Sequence, residues 1–533
     1  HMNNMVMRIA FGTAVTIFKK RGIRQYLGTY HMVKYENLSK EGKPKIFPKK
    51  DNRHNITSQD NFEKIPGMPI AYWVGNKIYK IFDNELLSSY YEPKFGLSSA
   101  NNSLYIRAWH EIKENDFSYP GKRFEINLNK KWYPINNGGK YRKWYGNNED
   151  VIYWLDDGYE IKNNGRSTVR NMKYYYKNGI TWTPISSGNT AFRRFGNGYI
   201  FTSAGFCMFN KGLISESYMI GLLNTKIVST LLDVISPTIN YNVGDIANIP
   251  VIFSAKDKFK IELSAKDSIL ISQTDWDSFE TSWDFVIHPL LDKDKQGQVP
   301  STIESAYENW KAFANDNFAK LKANEEELNR IFIEIYGLED ELTPEVSDKD
   351  ITITKIFDSK HEIYDDIKGN SYILTKEDVI KSFISYGVGC IFGRYSLDIE
   401  GLAYAGGEWK DDKYKSFKPV RDNVILVTDG DYYIEDITSK FIEFVETAFD
   451  AEHLEENLEF IAQALGGKGD PRDVIRNYFL KDFYKDHVRT YKKRPIYWLY
   501  DSGRQNGFKA LIYMHRYNED TTGKVRVDYL HEL

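Results

Sequence analysis

The residues best suited to chemistry lie between positions 121 and 212, where 15 Lys and Arg stand against 6 Asp and Glu. Lys122, Arg123, Lys130, Lys131, Lys140, Arg142, Lys143, Arg166, Arg170, Lys173, Lys177, Arg193 and Arg194 alternate with Trp132, Trp144, Trp154, Tyr174, Tyr175, Tyr176 and Trp182. The whole chain carries a net charge of -3, so the excess is local and must face something that offsets its self-repulsion. A phosphate backbone is the commonest such partner, and aromatic rings offer flat faces for packing or for contacting an extruded base. The competing interpretation is a two-layer β domain with aromatic core residues and solvated lysines.

The elements that must position these residues are short. Gly138-Gly139, Gly146-Asn147-Asn148, Asn163-Asn164-Gly165 and Gly188-Asn189 punctuate aromatic runs, so most of residues 62–250 is expected to be β. One amphipathic helix should close this stretch. Ser217 can cap it, Met219, Leu222, Leu223, Ile227, Leu231 and Val234 form its apolar face, and Ser236-Pro237 stops it. Upstream, Ala14 to Phe18 and Gly28 to Tyr35 read as two strands joined through the turn Lys19-Lys20-Arg21-Gly22, followed by a Lys/Pro/Asn-rich loop over 40–59.

Composition shifts after residue 251. Residues 252–350 carry 11 Lys and Arg against 22 Asp and Glu. Pro300-Ser301-x-x-Glu304 reads as a capping box. It opens a helix with Ile303, Tyr307, Trp310, Phe318, Leu321, Leu328, Ile331 and Ile335 at near-heptad spacing, ending at Gly337. Such a helix spans about 50 Å at 1.5 Å per residue, a spacer length, and its acidic face would repel DNA. Residues 351–533 form a further α/β unit. Thr375-x-x-Asp378 caps a helix through Tyr386, Asp470-Pro471 opens another, and Pro495 to Tyr500 and Phe508 to His515 read as strands. The expected fold class is α+β and multidomain, with boundaries at 1–60, 61–251, 252–350 and 351–533.

Several activities lack their motifs. The 533 residues contain no Pro-Pro dipeptide, which an amino-methyltransferase acting on adenine needs beside an Asn or Asp to hold the exocyclic amine. A glycine-rich first turn for S-adenosylmethionine and a Walker-type GxxxxGK[ST] are also missing. Gly387-Val388-Gly389-Cys390-Ile391-Phe392-Gly393 has the wrong glycine spacing for a dinucleotide loop and follows a helix. Asp156-Asp157 and Asp411-Asp412 have no basic third member, so no catalytic residue and no metal site is assigned. Cys207 and Cys390 are the two cysteines, read as lone buried thiols of a reducing, cytoplasmic compartment. No membrane span is expected, because Asn224, Lys226 and Asp233 interrupt the most apolar run. His1-Met2 reads as a remnant of cloning, so the natural start is expected elsewhere.

The stretch Gly221 to Pro250, with Ser-Pro-Thr-Ile-Asn-Tyr-Asn-Val-Gly-Asp-Ile-Ala-Asn-Ile-Pro at its end, resembles the close of a target-recognition domain of DNA methyltransferases. More specific segments are Lys64 to Trp73, Gly138 to Gly146, Ser282 to Phe285 with His288-Pro289-Leu290, Ser385 to Tyr395, and Arg494 to Trp498 with Asp501-Ser502-Gly503. These resemble, in order, the PglX family of BREX phage-defence adenine-specific DNA methyltransferases. The resemblance runs from about residue 60 to the end, and Ala14 to Tyr35 looks like the last strands of that family's catalytic domain. It implies the C-terminal half of such an enzyme with most of the catalytic domain absent. The chain alone would then be inactive and hold no cofactor, while the parent enzyme uses S-adenosylmethionine.

The resulting expectation is the DNA-recognition portion of an N6-adenine methyltransferase, with double-stranded DNA as partner and other BREX proteins as further candidates. In the parent enzyme the target adenine is flipped into the catalytic domain. Lys140, Arg142 and Lys143 follow the Gly138-Gly139 turn and could reach a groove, Arg142 being suited to bidentate contact with guanine. Phosphate anchoring without base readout is the equal alternative. Arg166, Arg170, Arg193 and Arg194 are expected phosphate contacts. Asn240 and Asn242 could pair with adenine edges, although an asparagine-rich turn accounts better for them, and Trp144 and Trp154 fit a core better than a base stack. A stand-alone specificity subunit, as in type I systems, and an interaction scaffold remain alternatives. A carbohydrate-binding module would not need the cation excess.

Overall fold

The computed structural model describes residues 16–17, 26–33, 35–41, 43–47, 54–119, 129–185, 190–236, 240–293, 297–430, 435–503 and 507–531. Lys122, Arg123, Gly188-Asn189, Pro237 and nearly all of the strand and turn expected over 14–22 lie outside them. The architecture is mixed α and β in several small sheets, the α+β class. Strand β1 (Leu27–His31) pairs antiparallel with β2 (His54–Ser58), so part of the expected 40–59 loop is strand. Ile56-Thr57 supplies the β-branched pair there.

Two four-stranded sheets follow. The first has the order β3 (Tyr91–Lys94), β10 (Phe206–Asn210), β7 (Gly179–Trp182), β8 (Phe192–Phe195), antiparallel throughout. The second has the order β4 (Ile106–Ala108), β6 (Asp150–Tyr153), β5 (Trp132–Asn136), β9 (Ile200–Phe201), with β5 and β9 parallel. Strand β10 reads Phe206-Cys207-Met208-Phe209 because both of its faces are covered. Phe206 and Met208 join Ile180 and Trp182 in a core shared with helices. Cys207 and Phe209 point the other way, into a core with Ile135, Val151 and Ile200 of the second sheet. The layers therefore run sheet, sheet, helix.

The closing amphipathic helix is two helices, Glu216–Leu223 and Lys226–Ile235, bent by 67°. Ser215, two residues before the expected cap, accepts the bond from the Tyr218 amide. The break at Asn224 has a local cause. Its side chain accepts from the Phe192 amide and donates to the Phe192 carbonyl, both at 3.0 Å, tying the helix end to β8. No single helix among the described residues is long and apolar enough to cross a membrane.

Helix Lys258–Asp277 packs on this layer, and so does the C-terminal half of a 34-residue helix, Ile303–Tyr336. The long helix is capped by Thr302, and Gly337 ends it in the left-handed region at φ 66°. Its first half, through Ile303, Tyr307 and Trp310, belongs to a different core built with residues 356–513. The helix expected as an acidic spacer buries one face along its length and is shared by two cores.

The C-terminal unit contains the parallel pair β11 (Lys355–Phe357) and β12 (Ile373–Thr375) and a sheet ordered β13 (Val424–Leu426), β15 (Lys509–Tyr513), β14 (Tyr497–Asp501). The Thr375/Asp378 capping box opens helix Lys376–Ile391. This helix runs past Tyr386 and absorbs Gly387 and Gly389, so that glycine run is a helix-packing surface. Asp470 caps the helix Pro471–Tyr478, with proline at its start.

Candidate nucleic-acid interface

The basic segment divides into an interior and an exterior set. Gly138 and Gly139 take φ of +80° and +126°, which favours glycine, and turn the chain inward. Arg142 ends up 3% exposed. Its Nη2 donates to Asp275 Oδ2 at 2.9 Å and to the Ser272 carbonyl at 3.0 Å, and its Nε donates to the Tyr145 carbonyl at 2.7 Å. The guanidinium lies between the rings of Trp276 and Tyr372, at 5.0 and 5.4 Å. Gly146 makes room for it, because a Cβ there would sit 2.4 Å from Arg142 Nε.

Lys143 and Trp144 converge on one carboxylate. Lys143 Nζ donates to Glu325 Oε2 at 2.6 Å and Trp144 Nε1 to Glu325 Oε1 at 2.8 Å, all three buried. Burial opposes the charge on Lys143, but Glu325 outweighs it and holds the ammonium above its ordinary pKa. Trp144 sits at φ 69°, a costly conformation for a bulky residue. It is held by backbone bonds from its amide to Phe192 and to its carbonyl from Arg194. Arg193 is 1% exposed and donates to the carbonyls of Arg142 and Gly138 and to Thr183 Oγ1. Burial pulls its pKa down to about 10.

These placements correct the expectation of an open arginine loop. Arg142, Lys143 and Trp144 are interior ties between the two-sheet unit and residues 252–372, and Arg193 is an interior tie within the two-sheet unit, with no face left for a base or phosphate. Trp154 is likewise core, its Nε1 donating to Asp157 Oδ1 at 3.3 Å. Asn242 precedes the short helix Val243–Ala247 and its amide donates to Asp245 Oδ2 at 2.8 Å. The Asn240 carbonyl accepts from Ser236 Oγ and its backbone bridges Ile185. The asparagines therefore shape a turn.

The exterior set is Lys140, Arg166, Arg170 and Arg194, all exposed. Arg194 Nε donates to Glu216 Oε1 at 2.6 Å. Arg166 and Arg170 have no ion-pair or hydrogen-bond partner for their guanidinium groups among the described residues. Their backbone is nonetheless fixed. Thr168 exchanges backbone bonds with Ser98 at 2.8 and 2.9 Å, Ser167 Oγ donates to the Ser99 carbonyl, and Asn171 Nδ2 donates to the Phe95 carbonyl. Arg166 and Arg170 lie on either side of the pinned Ser167-Thr168 pair, and both are exposed.

Beside them lies a group that sequence reading only partly located. Lys173, Lys94 and Lys177 sit 5.0, 5.2 and 5.4 Å from the centroid of the Tyr174 ring. That ring stacks on Phe209 at 4.7 Å and its hydroxyl donates to Glu92. The Tyr174 bond and then Lys94 hold the Glu92 carboxyl down at about 2. Lys94, outside the 121–212 stretch, went unpredicted, as did Asp275 and Glu325. Glu325 did carry a signal: it lies between Leu321 and Leu328 on the apolar face, where a carboxylate requires a buried cation. Among the described residues no cluster of His, Cys, Asp or Glu could hold a metal.

Arg166, Arg170, Lys173 and Lys177 together present an exposed cationic surface on a hydrogen-bonded backbone. Relatedness gives this surface a context: the chain is similar to adenine-specific methyltransferases. It is 39% identical over 539 aligned residues to the Adenine-specific methyltransferase PglX of Lacticaseibacillus casei (strain Zhang), covering 98% of the chain and 43% of that relative. It is 35% identical over 505 residues to the Adenine-specific methyltransferase BrxX of Escherichia coli O9:H4 (strain HS), covering 90% of the chain and 40% of that relative. The chain therefore spans well under half the length of these curated relatives. No family model matches it.

Proposed function

We propose that this chain is the DNA target-recognition portion of a BREX-type N6-adenine methyltransferase. Residues 61–251 engage double-stranded DNA, while the rest of the parent polypeptide binds S-adenosylmethionine and methylates an adenine flipped out of the duplex. The observation that carries this reading is a run of exposed cations. Arg166, Arg170, Lys173 and Lys177 stand exposed on a segment whose backbone is pinned, whereas the neighbouring interior cations Arg142 and Lys143 are each matched to a carboxylate. Exposed cations on a fixed backbone suit phosphate contacts, which position a duplex without reading it. The adenine-specific methyltransferase relatives support DNA as the polyanion.

The test is selection of bound duplexes from a random-sequence pool by the intact chain at low salt. Enrichment of one short motif is expected. Retention of duplex with no enrichment would reduce the role to non-specific anchoring, and failure to retain any duplex would refute the proposal.

A further inference from the structure

A cleft of about 300 Å³ lies between the second sheet and the C-terminal unit. One lip is the end of β5 with the Gly138-Gly139 turn, and the other is the segment Thr490 to Arg494. Residues 489–494 read Arg-Thr-Tyr-Lys-Lys-Arg, four cations with no acid, and all four are exposed. Their backbone is held in an unusual shape. Lys492 and Lys493 take φ of 52° and 65°, fixed by bonds from the Lys493 amide to the Val488 carbonyl and from the Arg494 amide to the Tyr491 carbonyl, both 2.8 Å. Tyr491 anchors the loop from beneath, edge-on to His110 at 4.6 Å. Lys140, which follows the Gly138-Gly139 turn of the facing lip, is exposed.

The polar floor is already satisfied internally: Asn137 Nδ2 donates to Asp150 Oδ2 at 2.8 Å and Asn147 Nδ2 to the Lys140 carbonyl at 2.9 Å. A ligand therefore meets the rim. Lys492 pairs with Glu149 and Arg494 with Glu111 at 2.8 Å, both cations more than a third exposed. Such exposed pairs are weak, so a polyanion can displace them. Lys493 has no side-chain partner among the described residues. The cleft is also linked to the arginine segment through backbone pairing. Thr168 pairs with Ser98, Leu97 bridges Thr202, and Thr202 Oγ1 donates to Asn137 Oδ1 at 2.9 Å. Three inter-strand steps of about 4.8 Å cover about 14 Å, within one duplex turn of about 34 Å.

We propose that this cleft is a second nucleic-acid contact, in which Lys492, Lys493 and Arg494 of the C-terminal unit grip the phosphodiester backbone opposite Lys140. The proposal rests on the DNA-recognition reading and adds that the C-terminal unit touches DNA. Two measurements on the intact chain test it. Amine-reactive labelling with and without a saturating 30-base-pair duplex at low salt should show protection of Lys492 and Lys493. The variant Lys492→Glu/Lys493→Glu, checked for unchanged thermal unfolding, should lose tenfold or more in affinity for all sequences alike. Its log-log salt slope should also fall by about 2, at roughly 0.9 per phosphate contact. Unchanged labelling with wild-type affinity and slope overturns the proposal. If Arg166→Ala/Arg170→Ala still weakens binding in that case, the recognition reading survives without it. No salt-dependent binding by the unmodified chain would overturn both.

Discussion

Two groups of cations within one stretch of sequence have opposite fates. Arg142, Lys143 and Arg193 are buried and tied to Asp275, Glu325 and backbone carbonyls, whereas Arg166 and Arg170 stand in solvent on a pinned strand-like segment. The difference teaches where the excess charge goes. Residues 121–212 and the acidic 252–350 segment offset one another partly inside the molecule, so charge imbalance in one segment marked an intramolecular interface as well as an outward-facing one. Within residues 121–212, the cations that stay exposed remain for a ligand.

The comparison can be broken most severely at Glu325. Replacing it with alanine leaves Lys143 buried and unpaired, and should lower unfolding stability by about 3–5 kcal/mol in urea titration. Lys143→Met in the Glu325→Ala background should restore part of that loss; no restoration would mean that packing around Trp144 dominates. Arg142→Ala should cost about 2–4 kcal/mol through lost bonds and ring contacts, read from the same titrations. A cost below 0.5 kcal/mol would contradict its role as an interior tie.

The same buried region should respond to pH. Burial pushes Asp277, at the end of the helix that carries Asp275, up to about 6 from an ordinary 3.8. The folded state then binds this proton more tightly than the unfolded chain. Its contribution is greatest below about pH 4, falls as pH rises from about 4 to 6, and is level above that. Asp277→Asn should remove a fall on the order of 1–3 kcal/mol, checked by unfolding at pH 4, 5, 6 and 7. The smallest stability effect belongs to the exterior set: Arg166→Ala and Arg170→Ala should each change stability by no more than about 0.5 kcal/mol.

Much of the framework was legible in local patterns. The Gly337 stop, the Thr375/Asp378 box, the Asp470-Pro471 start and the apolar positions of the long helix depend on neighbours a few residues away. The burial of Arg142 was not legible, because Asp275 is 133 residues distant and nothing local distinguishes an inward turn from an outward loop. The break at Asn224 was hidden for the same reason, its partner being β8. For the candidate site, residue type marked the basic stretch, but long-range pairing decided which of its members face out.

The most direct test of the central claim is duplex affinity as a function of salt for the intact chain and for Arg166→Ala/Arg170→Ala. If the exterior arginines contact phosphate, the double variant should weaken binding across all sequences and reduce the log-log slope by about 2, with unfolding unchanged. Equal affinity and equal slope for the two proteins would contradict the assignment of this surface to DNA.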